Sequence, residues 1–209
     1  MGENQERRQA HRQKRGLIRV EEILTAAGTL FADRGFDNVT TNMIAAGAGV
    51  SPGSLYQFFP NKEAIAQAFA ADATQHLHLV YDEVLSPEVI TLPLKDFVEI
   101  FVDRLVAFNR KFPGYLALRV GATLSSSLAF ALSDLNQGLL ARQDAMWAAL
   151  WAQSDSEQRR LPLTVAYRIF LALLPLVLQG EEEQQRAVVG EIKRILFLYM
   201  ESIVSGQKA

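Results

Sequence analysis

The sequence predicts an all-α fold, with an N-terminal domain of three helices followed by a larger helical domain and about nine helices in total. Two observations support this fold class. Apolar residues recur at three- and four-residue spacing along most of the 209 residues, and no alternating pattern typical of strands competes with them. Glycine, proline and serine interrupt that periodicity where helices are expected to end. The content of 49% hydrophobic and 21% charged residues is typical of a folded chain.

Residues 1–16 are predicted to form a flexible basic arm. The first twenty residues carry six basic and two acidic side chains and have no apolar core. Two interpretations stay open: the cations of the arm follow DNA phosphates or an adjacent minor groove, or they form a solvated tail. The cations in question are Arg7, Arg8, Arg12, Lys14 and Arg15.

The first helix is predicted to begin at residue 17 and to end at Arg34. Its apolar side chains form one stripe, as a helix packed against a core requires. Gly35 follows the helix, where glycine most easily adopts the left-handed backbone that terminates it. The stripe consists of Val20, Ile23, Leu24, Ala27, Leu30 and Phe31.

Residues 40–62, TTNMIAAGAGVSPGSLYQFFPNK, have the pattern of a helix-turn-helix. Thr40 is predicted to cap a short helix, and Gly49 follows the end of that helix. Ser51 and Pro52 then open another helix with an N-cap hydroxyl and a proline at the first position, where no backbone N–H is needed. Small residues at its leading end are predicted to let this helix approach base edges in a DNA major groove.

A long fourth helix is predicted from the Asn61 cap to about Leu85, with Glu63 in its first turn, where the helix dipole favours an anion. A break at residues 86–93 separates it from the remaining helices. Those are predicted at residues 94–111, 113–123, 127–153, 162–179 and 182–204.

The segment RVEEILTAAGTLFADRGFDNVTTNMIAAGAGVSPGSLYQFFPNKEAI resembles the DNA-binding domain of the TetR family of transcriptional regulators. The resemblance covers roughly residues 17–70 and depends on three motifs in the same order and spacing: AAGTLFADRGF, TTNMIAAGAGVS and LYQFFPNK. Many family members have histidine where this chain has Phe58, so no imidazole contact is carried over. Beyond about residue 85, the resemblance implies architecture only.

The resemblance implies a set of DNA contacts. Hydroxyls and free amides at Thr40 and Thr41 would bind phosphate, and the amide of Gln57 can pair with adenine. Taken alone, Tyr56 is equally consistent with a half-buried aromatic, and Lys62 is more typical of a solvated lysine. Leu55 and Phe59 are expected to point inward, and Phe58 in either direction. The implied DNA-binding residues are Thr40, Thr41, Ser51, Pro52, Gly53, Ser54, Tyr56, Gln57 and Lys62.

Aromatic residues are numerous in the second domain, and an apolar interior with few polar anchors suits a small-molecule cavity as well as ordinary core packing. The resemblance favours a cavity, and the scarcity of acidic residues on the predicted inner faces favours a neutral or anionic, largely apolar effector over a polycation. Its expected lining is Phe97, Phe101, Phe108, Tyr115, Phe130, Trp147, Trp151, Tyr167 and Phe170. The polar anchors considered, with no choice among them, are Arg104, Asn109, Arg119 and Gln137.

The last two helices are apolar nearly all round, and a helix that is apolar on two faces needs two burial partners. One partner is the chain's own core, and the other is most simply the same surface of a second copy. Burial within one chain is the alternative. Pro175 is expected to bend the first of these helices. The predicted dimer interface consists of Phe170, Leu174, Val177, Ile192, Ile195, Leu196 and Tyr199.

Several function classes are disfavoured. The chain has no cysteine, which excludes disulfides and thiol catalysis. His76 and His78 point about 200° apart on a helix and cannot chelate one metal ion together. No catalytic cluster stands out, so no cofactor, no metal site and no enzyme activity are expected. The longest apolar run, residues 169–178, is too short to span a bilayer, and a cytoplasmic protein without membrane contact is expected.

The sequence therefore predicts a ligand-responsive, homodimeric transcriptional repressor that binds double-stranded DNA at a pseudo-palindromic operator. The alternative is a DNA-binding organiser of the same fold whose second domain docks a protein. An enzyme acting on small apolar substrates is a third reading, which lacks a catalytic cluster. The predicted domains are the arm at residues 1–16, a helix-turn-helix domain at 17–62 with its motif at about 40–59, and a ligand-binding and dimerisation domain at 63–209.

Overall fold

The computed structural model of the chain describes residues 2–122 and 126–205, and these residues form helices and no strand. The all-α prediction is therefore confirmed. The helices are α1 (Gly2–Arg34), α2 (Thr41–Gly47), α3 (Pro52–Tyr56), α4 (Lys62–Val84), α5 (Pro87–Ile90), α6 (Leu94–Lys111), α7 (Pro113–Gly121), α8 (Ser126–Ala131), α9 (Ser133–Leu150), α10 (Ser156–Leu178) and α11 (Glu182–Ser205).

The described residues contain eleven helices rather than about nine. One additional helix lies in a predicted break, and the other arises because one predicted helix is divided in two. The predicted break at residues 86–93 contains the single turn α5, which Pro87 opens after Ser86. The predicted helix at 127–153 is divided into α8 and α9 at Leu132. Ser133 opens α9, and serine favours a helix start over a helix interior because its side chain competes for backbone hydrogen bonds.

Helix α1 begins at Gly2, so the segment predicted to be a flexible arm is helical in the structure. Residues 1–16 are rich in arginine, glutamine and glutamate, all of which are good helix formers. Extending a helix that the core already holds requires no new nucleation step. The prediction of a flexible arm relied on the absence of an apolar stripe and did not include helix propensity.

Helix α10 begins at Ser156 rather than at the predicted residue 162. A capping box, which the prediction did not include, stabilises this earlier start. The Asp155 carboxylate accepts from the Gln158 backbone N–H at 2.8 Å, and the Gln158 side chain accepts from the Asp155 N–H at 3.0 Å. These two bonds satisfy helix-end donors that water would otherwise have to meet. The box lies between the helices predicted at 127–153 and 162–179.

The chain divides into two compact units. Unit 1 comprises Met1–Asp72 and Pro113–Leu132, and unit 2 comprises Ala73–Phe112 and Ser133–Ala209. Helix α4 therefore contributes its first half to unit 1 and its second half to unit 2. The functional domain boundary after residue 62 stays a prediction, since the compact units follow packing rather than function.

Unit 1 is held together where α7 crosses α1. A Cβ atom at Gly114 would lie 2.3 Å from the carbonyl oxygen of Gly28, so the two backbones touch at this crossing. Gly28 is also covered by the Phe69 ring, which would lie 2.5 Å from a Cβ there. Only glycine permits such an approach. The buried apolar side chains of unit 1 include Ile23, Ala27, Phe31, Ile44, Leu55 and Leu118.

Unit 2 is a helical layer built from the second half of α4 with α6, α9, α10 and α11. Helix α11 packs against both α6 and α10, and α10 also packs against α9. The largest fully buried side chains here include Phe97, Leu174 and Ile192, one from each of three helices. Packing against this core determines which faces of α6, α10 and α11 point outward.

Candidate DNA-binding surface

The turn between α2 and α3 has the local geometry that the sequence predicted. The Thr40 hydroxyl oxygen accepts from the Met43 N–H at 3.2 Å and caps α2. Gly49 has φ of 64°, a left-handed conformation that costs little only for glycine. Its backbone then allows the Val50 N–H to bond the Ala45 carbonyl at 3.0 Å. The turn is therefore closed by backbone bonds and aims α3 in one direction.

Helix α3 is short, capped and anchored by its apolar side. The Ser51 hydroxyl oxygen accepts from the Ser54 N–H at 3.1 Å, and Pro52 occupies the first helical position. Leu55 is fully buried and Phe59 is buried, as predicted, so they hold the helix against unit 1. Phe58, whose direction the sequence left open, is 37% exposed.

The leading end of α3 is free of obstruction. Ser51, Pro52, Gly53 and Gln57 are all exposed. A Cβ atom at Gly53 would meet no heavy atom within 4 Å, so no described side chain packs on this position. A major groove admits a helix whose contacting residues are short or reach outward, and this end of α3 has that shape.

Tyr56 and Thr41 form a hydroxyl pair at the surface. The two hydroxyl oxygens are 2.9 Å apart, and either can donate. Tyr56 is 51% exposed, so it is not the half-buried core aromatic of the alternative interpretation. The pair joins the first residue of α2 to the last residue of α3 and places two hydroxyls side by side.

Lys62 has an intramolecular role that the sequence did not reveal. Its ammonium donates to the Phe36 carbonyl at 2.7 Å and lies 4.2 Å from the centre of the Phe36 ring. Lys62 therefore connects the first residue of α4 to the loop after α1. An ammonium has three donors, so two remain for another acceptor. Next to it, Asn61 caps α4 by accepting from the Ala64 N–H at 2.8 Å, as predicted.

The predicted DNA-binding residues all belong to unit 1, on α2, α3 and the start of α4. Thr41, Ser54 and Lys62 are half-buried, and the other six are exposed. Their contact with DNA stays a prediction. Of the basic arm, Lys14 and Arg15 are exposed on α1, while the side chains of Arg7, Arg8 and Arg12 lie outside the described residues.

The aromatic residues predicted to line a chamber fall into both units. Tyr115 and Phe130 belong to unit 1, and Phe130 is 82% exposed. The other seven belong to unit 2, where most are buried and Phe97 stacks on Phe101 with ring centres 5.8 Å apart. Ordinary core packing accounts for these contacts as well as a cavity does, so the chamber stays a prediction.

Unit 2 also buries polar side chains that the sequence interpretation missed. The Gln143 amide donates to the Tyr81 hydroxyl at 3.1 Å, and both residues are buried. Within the described residues, the buried Nε2 of His78 has no hydrogen-bond partner. Burial, followed by the nearby charge of Arg142, lowers the pKa of His78 and favours its neutral form.

A sequence signal for Gln143 did exist. It lies on the same face of α9 as Leu139, Met146 and Trp147, at helical spacing, so a polar residue interrupts a buried stripe. Of the anchors considered earlier, Asn109 is buried but bonds the Leu105 carbonyl of its own helix at 2.8 Å. Arg104 pairs with Glu83 at the surface.

Five of the seven residues predicted at the dimer interface face the chain's own core. They are Phe170, Leu174, Val177, Ile192 and Leu196, all at most 5% exposed, whereas Ile195 and Tyr199 are half-buried. Both faces of these helices are apolar, and the sequence pattern alone could not tell the inner face from the outer one. The prediction selected the inner face.

The outer face of α10 is an apolar surface that the described part of the chain leaves largely uncovered. Leu161 is 70% exposed and Leu176 is 50% exposed, and Val165 and Ile169 between them are half-buried. By length and composition alone α10 could cross a membrane, and 22% of its most apolar 18-residue stretch is buried. The run at residues 169–178, which was judged too short to span a bilayer, is therefore part of a longer apolar stretch. Leu198 adds another half-exposed leucine on α11.

Among the described residues, no group of three or more His, Asp or Glu side chains is placed to hold a metal ion.

Comparison with protein families identifies both parts of the chain. Residues 23–69 match the profile of "Bacterial regulatory proteins, tetR family". Residues 93–200, more than half of the chain, match the profile of a tetracyclin repressor-like C-terminal domain.

Individual relatives are similar over part of the chain. The HTH-type transcriptional repressor KstR2 of Mycolicibacterium smegmatis is 33% identical over 93 residues, which is 44% of each chain. The nucleoid occlusion factor SlmA of Pasteurella multocida is 29% identical over 107 residues, 51% of this chain and 52% of that protein. The chain thus matches about half the length of these relatives. A solved TetR-like transcriptional regulator from Rhodococcus sp. RHA1 shares the fold with a TM-score of 0.66 at 19% identity, covering 90% of this chain and 96% of that one.

Proposed function

The chain belongs to the TetR family of bacterial transcriptional regulators, with a helix-turn-helix DNA-binding domain, and on that premise we propose that it is a homodimeric repressor released from its operator by a small, largely apolar effector. The observation that carries the proposal is the exposed leading end of α3. Small residues there are uncovered, while Leu55 beneath them is fully buried. This combination holds a helix rigidly and leaves its tip open to base edges.

The residues of this surface divide into two roles. Gln57 reads a base, and the exposed edge of Ser51 to Gly53 lets the helix approach the groove floor. The Thr41–Tyr56 hydroxyl pair and the remaining N–H groups of Lys62 hold phosphates. Because these phosphate contacts fix the register of α3 on the duplex, they are required for affinity on any sequence, whereas Gln57 is required for one sequence only.

The outer face of α10, together with the exposed edge of α11, forms the dimer interface of the proposed repressor. Leu161, Val165, Ile169 and Leu176 share one side of α10, opposite its buried side. A two-fold axis pairs this face with itself. The two copies of α3 then read half-sites about 34–36 Å apart or at a multiple of that distance.

The effector binds in unit 2, among its aromatic side chains. Tyr81, Gln143 and the unpartnered Nε2 of His78 are buried polar groups that suit the few oriented contacts of an apolar ligand site. Helix α4, which belongs to both units, conveys the effect. Since both ligands then act on one equilibrium, the effector weakens DNA binding by the same factor by which DNA weakens effector binding.

The test is an electrophoretic mobility shift with the full chain at low salt. Duplexes would be selected from a random pool and compared with the region upstream of the chain's own coding sequence. We expect a retarded band on a pseudo-palindrome and its loss in a Gln57→Ala variant that still binds unselected DNA weakly. The absence of any retarded band, with the variant and the parent equally folded, contradicts the proposal.

A DNA-binding organiser that docks a protein is the second candidate. It is favoured by the similarity to SlmA, which is named a nucleoid occlusion factor. Mass spectrometry of the purified, undenatured protein discriminates the two. A small molecule that co-purifies and weakens the band supports the repressor, and a stable complex with a second protein that leaves the band intact supports the organiser.

A further inference from the structure

A groove of about 380 Å³ runs between α6 and α11 on the surface of unit 2. Its α6 wall is formed by Asp103, Val106, Ala107 and Arg110. These residues follow the i, i+3, i+4, i+7 spacing that places side chains on one face of a helix. The first and last residues of the wall are charged, and the two between them are small and apolar.

The α11 wall repeats this arrangement. It is formed by Arg186, Val189, Gly190 and Lys193 at the same spacing. Each wall spans eight residues, or about 10 Å from the first Cα atom to the last. A Cβ atom at Gly190 would meet no heavy atom within 4 Å, so the missing side chain is what keeps this part of the groove open.

The two ends of the groove differ in charge. At one end the Lys193 ammonium and the Asp103 carboxylate are 2.8 Å apart and neutralise each other. The other end carries two guanidinium groups, those of Arg110 and Arg186. The groove therefore has one neutral end, an apolar floor and one cationic end.

Among the described residues Arg110 has no carboxylate partner, so its charge is oriented but not neutralised there. Its guanidinium donates to the Gln185 side-chain oxygen at 3.0 Å, and Gln185 in turn donates to the Gly180 carbonyl at 3.0 Å. An amide fixes the position of the guanidinium without contributing a negative charge. Arg186 has a carboxylate partner, Glu182 at 3.2 Å, but both side chains are at least 70% exposed, and such helix-surface pairs are weak.

The cationic end of the groove differs in charge from the rest of residues 63–209. Residues 63–209 carry 13 basic and 17 acidic side chains. The groove places three cations against one lining carboxylate in a region whose formal charge is negative. A guanidinium pair of this kind suits a planar or tetrahedral oxyanion, which it can bind with several charge-assisted hydrogen bonds.

The size of the groove fits a small-molecule ligand better than a protein partner. Stable protein interfaces bury about 1,200 Å² or more, and a groove about 10 Å long offers much less. A volume of about 380 Å³ lies within the usual range of small-ligand sites. We propose that this groove binds a small organic anion, with its oxyanion head between Arg110 and Arg186 and a short aliphatic body on Val106, Ala107, Val189 and Gly190.

The site stays accessible in the proposed dimer. At 100° per residue, the α11 wall of the groove points about 180° away from Ile195, Leu198 and Tyr199, which face the partner. The anion site is also separate from the aromatic interior of unit 2. It therefore does not depend on the proposed repressor function, and it can be tested on the free protein without DNA.

The experiment is an NMR titration of the isotope-labelled full chain with matched probes. Hexanoate and hexyl phosphate carry the two oxyanion heads on linear aliphatic chains of similar length, hexanamide carries the chain of hexanoate without charge, and acetate carries the carboxylate head without the chain. We expect saturable shifts at Val106, Val189 and Gly190 with hexanoate or hexyl phosphate, at least tenfold weaker binding of hexanamide and acetate, and weaker binding at higher salt. Comparing the two anions identifies the preferred head group.

Variants decide whether the groove itself is responsible. Gly190→Val fills the floor where a Cβ has open space, so the fold is expected to persist while binding is lost. Arg110→Gln with Arg186→Gln removes the cationic end, and Arg160→Gln on α10 is the matched loss of an exposed arginine outside the groove. Equal binding of hexanamide, undiminished binding by a folded Gly190→Val protein, or equal losses in Arg160→Gln and the double variant would overturn the proposal.

Discussion

At the level of one residue, Gly53 is expected to affect DNA recognition without contributing to folding. It lies on α3 where a Cβ atom would meet no heavy atom within 4 Å. The cost of a larger side chain would therefore appear only when another molecule approaches. The same reasoning distinguishes Gly53 from Gly114, where a Cβ would lie 2.3 Å from the Gly28 carbonyl oxygen and where folding itself is at stake.

We expect Gly53→Leu to reduce operator affinity by about 1–3 kcal/mol, the usual scale of a lost close contact at base edges. Its free energy of unfolding should stay constant or rise by up to about 1 kcal/mol, because glycine is a poor helix former. Urea unfolding and fluorescence anisotropy with a labelled duplex measure the two quantities. Gly138→Leu on α9 is the control, since a Cβ there is equally unobstructed. Equal DNA affinity of both variants would contradict a groove-facing α3.

Lys62 provides a second test at the level of one side chain. Lys62→Met keeps the aliphatic stem but removes the donor from the Phe36 carbonyl and the charge from the Phe36 ring. We expect a loss of about 1–2 kcal/mol in the free energy of unfolding. Lys95→Met, at an exposed lysine of α6, should change it by no more than about 0.5 kcal/mol. Equal urea midpoints for the two variants would show that the contact is not maintained in solution.

Among the helices, the local features of the candidate site could be predicted and the long-range ones could not. Thr40, Ser51 and Asn61 cap helices by bonding residues three positions ahead, so a window of a few residues contains all the information. The Lys62–Phe36 contact spans 26 residues and the Arg110–Gln185 bond spans 75. Neither leaves a periodic pattern in the sequence.

The placement of the predicted α10 interface residues on the inner face of the helix has a similar cause. Phe170 and Leu176 are both large apolar residues of one helix, but Phe170 is 5% exposed and Leu176 is 50% exposed. Periodicity reveals that a helix has an apolar face only when the opposite face is polar. Which of two apolar faces is covered depends on α9 and α11, and therefore on tertiary packing.

The contact between α1 and α7 gives a prediction about pairs of helices. We expect Gly114→Ala to destabilise the protein by about 1–3 kcal/mol, because the added methyl group must push the two backbones apart. Gly121→Ala in the same helix is the control, since its Cβ would lie 3.4 Å from a flexible leucine side chain. Thermal unfolding followed by circular dichroism compares them. Equal melting temperatures would mean that α1 and α7 are not in backbone contact.

The junction of α9 and α10 should make stability depend on pH. The Arg159 guanidinium, 7% exposed as a residue, donates to both Asp144 carboxylate oxygens at 2.9 and 3.0 Å. Hydrogen bonds from Arg159 lower the pKa of Asp144 below its ordinary value of 3.8. Because the folded state favours the ionised carboxylate, this stabilisation is complete well above pH 3.8 and is lost as the pH falls through the lowered pKa.

Asp144→Asn is therefore expected to be less stable than the parent chain at neutral pH, with a difference that shrinks as the pH falls below 3.8. Asp82→Asn is a suitable control, because the pairing of Asp82 with Arg142 lies at a more exposed site. Urea midpoints at neutral and acidic pH measure the difference. A gap between the Asp144→Asn and parent proteins that is constant over the whole range would contradict the assignment to this ion pair.

At the scale of the whole molecule, the proposed dimer has the largest expected effect on operator affinity, because that affinity then depends on two copies of α3 acting together. Binding one half-site places the second α3 at an effective concentration in the millimolar range near the other half-site. Two individually weak contacts then become one strong contact, and overall affinity exceeds that of one copy by about 10²–10⁴. The outer face of α10 would supply this gain without touching DNA.

Leu176→Glu combined with Leu198→Glu should therefore separate the two copies and weaken operator binding by about 10²–10⁴, although α3 is unchanged. Both leucines are half-exposed, so the isolated chain can accept the charges without burying them. Leu140→Glu on α9, at a leucine that is 54% exposed, is the matched control and should stay dimeric. Analytical ultracentrifugation gives the mass, and anisotropy titrations with a full operator and a single half-site give the affinities. The double variant should bind the half-site as well as the parent does. A double variant that stays dimeric, or a monomer that binds the full operator as tightly as the parent, would show that another surface joins the copies or that one copy reads the DNA alone.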